Sequence, residues 1–173
     1  MTELTPPLSA EDHVDGPDRA PLELVMYGDF QCPYCTAAYP IMRRVRNRLA
    51  DRLLFAFRHF PLRDVHPDAQ RAAEAAEAAA AQGAFWRMHD QIYESHGALG
   101  REDLIGYARE LGLDTARIDE ELDSSSHAAR VQRDVESGLA SGVTGTPAFF
   151  VGGRLHAGSF DAASLIAALE AAG

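Results

Sequence analysis

The stretch Leu22-Glu23-Leu24-Val25-Met26-Tyr27-Gly28-Asp29-Phe30-Gln31-Cys32-Pro33-Tyr34-Cys35 sets the architecture of the chain. Its first six residues are a short, mostly apolar run that stops at Gly28 and Asp29, residues that favour turns, and we assign it to a buried strand. Pro33 suits the first turn of a helix, where its missing N–H is no loss. Tyr39, Met42, Val45 and Leu49 then recur at the spacing of a buried helical face. This pattern predicts a helix to about Ala50, kinked at Pro40, whose ring removes the bond to the Thr36 carbonyl. Leu53 to Phe60, rich in aromatic residues and closed by Pro61, is a second strand. Strand, helix and strand between residues 22 and 60 make a βαβ unit.

From His66 to about Ser141 the signal is helical. It starts with the Ala/Glu-rich stretch from Asp68 to Gln82, ended by Gly83. Phe85, Met88 and Ile92, with Trp86 and Tyr93, mark a further helix, as do Leu104, Tyr107, Ala108 and Leu111. Asp114 opens a short helix carrying Ile118 and Leu122, and Val131, Val135 and Leu139 stripe another. These aromatic and methionine positions read as core. Ala148 to Val151 and Arg154 to Ala157 are strand-like on either side of Gly152-Gly153, which predicts a hairpin, and Asp161 caps a final helix with Leu165, Ile166 and Leu169 inward. The order predicts an α/β fold: residues 21–65 and 142–173 form one domain, residues 66–141 an inserted helical subdomain, and the proline-rich, acidic residues 1–20 a disordered tail.

The 173 residues and 18.8 kDa suit one domain with such an insert. The formal charge is −10, and all 16 cations are arginine, which argues against a nucleic-acid partner needing a basic surface. The run Arg43, Arg44, Arg46 and Arg48 reads as a solvated face near the negative end of its helix. No stretch has the roughly 18 uninterrupted apolar residues of a membrane span. The first twenty residues lack the cationic start and apolar run of a secretory signal, so a cytoplasmic location is expected. In that reducing compartment, two cysteines point to catalysis, redox sensing or metal binding rather than to a staple.

Cys32 and Cys35 have the spacing that disulfide exchange needs, with one sulfur ionised as attacker and the other within bonding reach to release a mixed disulfide. Cys32 falls at the predicted helix N-terminus, where unpaired N–H groups and the helix dipole favour a thiolate. It should be the exposed attacker, and Cys35, one turn further in, the more buried resolving thiol. A zinc half-site or a pair of inert core thiols is the competing reading. The seven histidines are scattered without a short-spaced pair, so no metal is expected.

Cys-X-X-Cys at the first strand-to-helix junction, Pro40 eight positions after Cys32, a helical insert, and Gly145-Thr146-Pro147-Ala148-Phe149-Phe150-Val151-Gly152-Gly153 near the end together resemble the thioredoxin superfamily. Within it the chain is most similar to DsbA-like oxidoreductases, over about residues 21–172. The resemblance implies a thioredoxin fold with a central mixed sheet, Cys32 as nucleophile, Cys35 as resolving thiol and Pro147 as a cis-proline beside them. It also implies that the Thr146 backbone pairs with an extended substrate segment, with Pro33, Tyr34 and Pro147 as further substrate contacts. The partners implied are protein or peptide thiols and disulfides and a cellular reductant or oxidant. No cofactor is implied beyond the cysteine pair, with glutathione as a possible electron donor.

Tyr34 cannot stabilise a thiolate as the cationic histidine of strongly oxidising DsbA proteins does, so a less oxidising couple is expected. Where many relatives carry a buried acid six residues before the first cysteine, this chain has Met26, which leaves water or Glu23 as proton acceptors. Two other functions fit the same fold. One is a glutathione-dependent isomerase or transferase, against which Cys35 argues, and the other is a redox-sensing or chaperone module.

Overall fold

The computed structural model describes residues 2–173. Strand β1 (His13–Asp15) precedes β2 (Leu22–Gly28), helix α1 (Pro33–Leu49) and β3 (Leu53–His59). Five helices follow, α2 (Ala69–Ala80), α3 (Phe85–Glu94), α4 (Arg101–Glu110), α5 (Thr115–Asp123) and α6 (Ala128–Ala140). The chain then re-enters the sheet with β4 (Ala148–Val151) and β5 (Arg154–Leu155) and ends in α7 (Ala162–Ala172). The strands form one mixed sheet in the order β1-β3-β2-β4-β5, with β2 and β3 parallel and the other pairs antiparallel.

Alternation along β2 divides the core. Leu22, Leu24 and Met26 pack with the buried face of α1 and with α7, while Val25 and Tyr27 point to the other side of the sheet, with Ala56, Phe60 and Phe150. The alanines of α2 keep the helices of the insert close, since Ala72, Ala75, Ala76 and Ala79 are all buried. Gly138, inside α6, permits a similar approach: a Cβ there would stand 2.6 Å from the Phe60 ring. Pro40 lies within a continuous α1, on its exposed side. Gly152 and Gly153 turn the hairpin with φ of 54° and 79°, and the strand after them stops at Leu155, two residues earlier than its sequence pattern suggests.

The expectation of a disordered tail over residues 1–20 is corrected for the described residues 2–20. Leu4 is buried and donates its N–H to the Gly153 carbonyl at 2.8 Å, and Glu3 bridges Arg154. The segment then crosses the sheet face carrying Tyr27 and Phe150, and reaches the opposite edge, where β1 pairs with β3. Arg58 of β3 accounts for one of its acids, Asp12, while Glu11 pairs with Arg133 and Asp15 with Arg46. The buried Arg58 guanidinium donates to both Asp12 carboxylate oxygens (2.8 and 3.0 Å), to the carbonyls of Pro6 (3.0 Å) and Pro7 (3.3 Å), and to the Tyr27 hydroxyl (3.0 Å). Composition misleads here because the segment builds no core of its own. It covers a sheet edge and satisfies a charge supplied by a distant strand.

Candidate active site

Cys32 is the N-cap of α1, with φ −69° and ψ 123°, so its side chain sits over the first unpaired N–H groups of the helix. Asp29 fixes this approach. One oxygen of its carboxylate accepts the N–H groups of Gln31 (2.7 Å) and Cys32 (3.1 Å). The other accepts the N–H of Leu62 (2.9 Å) and Nδ1–H of His66 (2.8 Å). This 1% exposed carboxylate thus ties the loop before α1 to the segment after β3. In the sequence Asp29 shows only a turn preference, because three of its four partners are main-chain groups that no motif marks.

The two thiols are free and their surroundings push them apart. The Cys32 thiol falls to about 5, chiefly because the Cys35 thiol donates to it, with help from the Thr146 hydroxyl and the N–H groups of Cys35 and Tyr34, while burial opposes the fall. Burial first, and then the Cys32 sulfur, push the Cys35 thiol well above its ordinary range. The two sulfurs therefore differ electrostatically, Cys32 favouring the thiolate and Cys35 the thiol. The expectation that Cys32 is exposed is corrected: it is 3% exposed, and its Sγ donates to the Thr146 carbonyl at 3.6 Å. The loop that carries Thr146 covers the helix N-terminus, which a local reading of residues 32–35 does not see.

The Thr146–Pro147 peptide bond is cis. Pro33 and Tyr34 face solvent, Tyr34 at 67% exposure. Beside them an open recess of about 310 Å³ is lined by Thr146, Pro147, Phe149, Leu155, His156 and Phe160 among others. Cys32, Cys35 and Thr146 thus share one centre, with Pro33, Tyr34 and Pro147 at its rim. Glu23 does not join them. Its half-buried carboxyl is raised by burial and has Arg58 and Asp12 as its charged neighbours, across the sheet from the cysteines.

A second polar cluster joins His13, His59 and Glu77. Nε2 of His13 and Nε2 of His59 both meet the same Glu77 oxygen, at 2.6 and 2.9 Å, and those contacts hold the Glu77 carboxyl far below its usual range against the pull of burial. Metal ligation through both Nε2 atoms would place the His59 ring proton on Nδ1, which is buried without a partner. The cluster instead anchors β1 to α2.

A family model described as thioredoxin matches residues 8–171. Among curated relatives, a protein named Na(+)/H(+) antiporter NhaA 1 from Salinispora arenicola is 49% identical over 161 residues, covering 93% of this chain and 24% of that protein. Another, named Na(+)/H(+) antiporter NhaA, from Herminiimonas arsenicoxydans, is 47% identical over 169 residues, 97% of this chain and 27% of that protein. The chain thus spans about a quarter of the length of the curated relatives it matches. Two solved structures share the fold. A thioredoxin-like oxidoreductase from Silicibacter pomeroyi has TM-score 0.84 and 24% identity, covering 95% of this chain and 93% of its own. Oxidised BdbD from Bacillus subtilis has TM-score 0.85 and 21% identity, covering 94% and 92%. The sheet order, the placement of Cys32 and Cys35 at the start of α1 and the family match along nearly the whole length lead to one assignment: the chain belongs to the thioredoxin family.

Proposed function

We propose that this chain is a thiol-disulfide oxidoreductase acting on protein or peptide disulfides and dithiols. The observation that carries the reading is the opposite displacement of two thiols three positions apart, Cys32 down and Cys35 up. The Cys32 thiolate attacks a substrate disulfide, forms a bond to one sulfur and releases the other as a thiolate. Cys35 then attacks the Cys32 sulfur, closes the Cys32–Cys35 disulfide and expels the bound substrate thiol. Run backwards, the same steps oxidise a substrate dithiol. An extended substrate segment lies along the Thr146 backbone, with Pro33, Tyr34 and Pro147 as flanking contacts, so recognition reads main chain more than side chains.

The only redox group this reading needs is the cysteine pair, returned to its starting state by a cellular reductant such as glutathione. The compartment we propose is the cytoplasm, where two free thiols persist because glutathione and thioredoxin keep them reduced. Known couples run from about −270 mV for thioredoxin to about −120 mV for DsbA, and with Tyr34 between the cysteines we place this one between them. The relatives named as antiporters support a more specific partner, in which this module exchanges disulfides with a membrane ion transporter or with a transporter segment joined to it. Insulin reduction by the wild type and by Cys32→Ser tests the activity, and equal rates would refute it. Trapping with Cys35→Ser, which should hold partners as mixed disulfides on Cys32, tests the substrate class.

A further inference from the structure

Resolution requires Cys35 to attack as a thiolate, yet its thiol is fully buried and holds its proton tightly. Among the described residues no carboxylate is placed to help. Both Asp29 oxygens are already occupied by N–H donors, and Glu23 lies across the sheet. The side chain that does reach this region belongs to the helical insert.

Tyr93 of α3 is wedged between the rings of Phe30 (4.8 Å between centroids), His89 (5.0 Å) and Tyr39 (5.5 Å). The hydroxyl at its tip is buried and makes no hydrogen bond of ordinary geometry. It lies against Gly28, the last residue of β2, where a Cβ would stand 3.0 Å from the oxygen and even closer to the Phe57 ring. Tyr39, the ring stacked on Tyr93, lies one turn after Cys35 on the buried face of α1, and Phe30, on the other side, lies five residues before it, so the phenol stands over the part of the core that holds Cys35. An unpaired buried hydroxyl weakens a fold unless something uses it.

We infer that Tyr93 is a positioning residue for the resolving step, its hydroxyl donating a hydrogen bond to the Cys35 sulfur as that sulfur becomes a thiolate. The inference rests on the oxidoreductase reading above. In the step it assists, Cys35–SH and the Cys32–substrate disulfide give the Cys32–Cys35 disulfide and a free substrate thiol. The Cys35–Cys32 bond forms, the Cys32–substrate bond breaks, and the proton lost by Cys35 ends on the departing sulfur. Tyr93 keeps its own proton throughout, because burial and then the neighbouring Cys35 push the phenol well above its ordinary range. The other groups facing this pair are Cys32, the Thr146 hydroxyl and Asp29, with the His89 ring, held neutral by burial, packed on the tyrosine.

Tyr93→Phe removes one oxygen and keeps the ring. With a fluorescent peptide disulfide in rapid mixing, the first step, attack by Cys32, should keep its wild-type rate, while release of the peptide from the mixed disulfide should slow by about ten- to a hundredfold, the effect of one hydrogen bond to a charged group. The Cys32 titration midpoint should stay where it is in the wild type. A merely structural hydroxyl predicts the reverse, because deleting an unpartnered buried polar atom leaves stability equal or higher and both rates unchanged. Unchanged release by folded Tyr93→Phe overturns the inference. Absence of any mixed disulfide with Cys35→Ser would instead overturn the oxidoreductase reading, so the two failures are distinct. As a second readout in the Cys32→Ser background, the Cys35 thiol should titrate higher with Phe than with Tyr at position 93, and equal midpoints would also overturn the inference.

Discussion

The Cys32 sulfur lies 3.6 Å from the carbonyl oxygen of Thr146, to which it donates when protonated, joining positions 114 residues apart. The Thr146 hydroxyl, buried with no hydrogen-bond partner of ordinary geometry, also favours the Cys32 thiolate. Thr146→Val keeps the β-branched shape and removes that donor. The Cys32 titration midpoint, followed by thiolate absorbance at 240 nm, should rise from about 5 by on the order of one pH unit. A midpoint unmoved by the substitution would leave the Cys35 thiol and the helix N–H groups as sufficient causes.

The reduced protein should gain stability with rising pH. The Cys32 thiol sits at about 5 when folded, below the ordinary thiol value of about 8.5, so between these values the unfolded chain binds more protons. The contribution is complete above the unfolded value and is lost as pH falls through about 5. Cys35 works in the opposite sense above the ordinary thiol range, because its folded value is raised. Urea unfolding of the reduced wild type between pH 4 and 8.5 should therefore show a rise that Cys32→Ser lacks.

Asp29→Asn should cost about 2–3 kcal/mol, because a charged acceptor of four N–H groups becomes an amide that turns two donors of its own toward them. The loop before α1 should loosen with it. Faster amide exchange at Gln31, Cys32 and Leu62, measured together with the fall in urea midpoint, would separate this local effect from a general one.

Asp12→Ala should destabilise the fold by about 3 kcal/mol, since it strips the buried Arg58 guanidinium of its carboxylate and leaves only the carbonyls of Pro6 and Pro7 and the Tyr27 hydroxyl. Limited proteolysis should then cleave within residues 2–20 well before the rest of the chain. Equal cleavage rates in wild type and variant would mean that Arg58 does not hold the segment down.

The βαβ unit, the glycine hairpin and the position of Cys32 at a helix start were legible because each is written in adjacent residues: the apolar run from Leu22, Pro33 after the turn, Gly152-Gly153 between short strands. The placement of Thr146 was not local, and only the likeness of residues 145–153 to a known family pointed to it. Asp29, Arg58 and Tyr93 escaped because their roles are defined by partners 30 or more positions away, or by main-chain groups common to every sequence. The same limit made residues 1–20 look disordered. Their few apolar side chains hold no core, and the charge that fixes Asp12 lies 46 residues downstream.

The segment from Thr2 to Asp15 touches β5 at one border of the sheet and forms β1 at the other. One scission near Ala10 would therefore free the part that borders β5, while β1 stays tethered to β2 and Asp12 stays held by Arg58. The remaining sheet would present the β5 edge bare, with unpaired main-chain groups free to recruit the same segment from a neighbouring molecule. Self-association after a single nick, rather than simple loss of a terminal peptide, is the consequence of that path across the molecule.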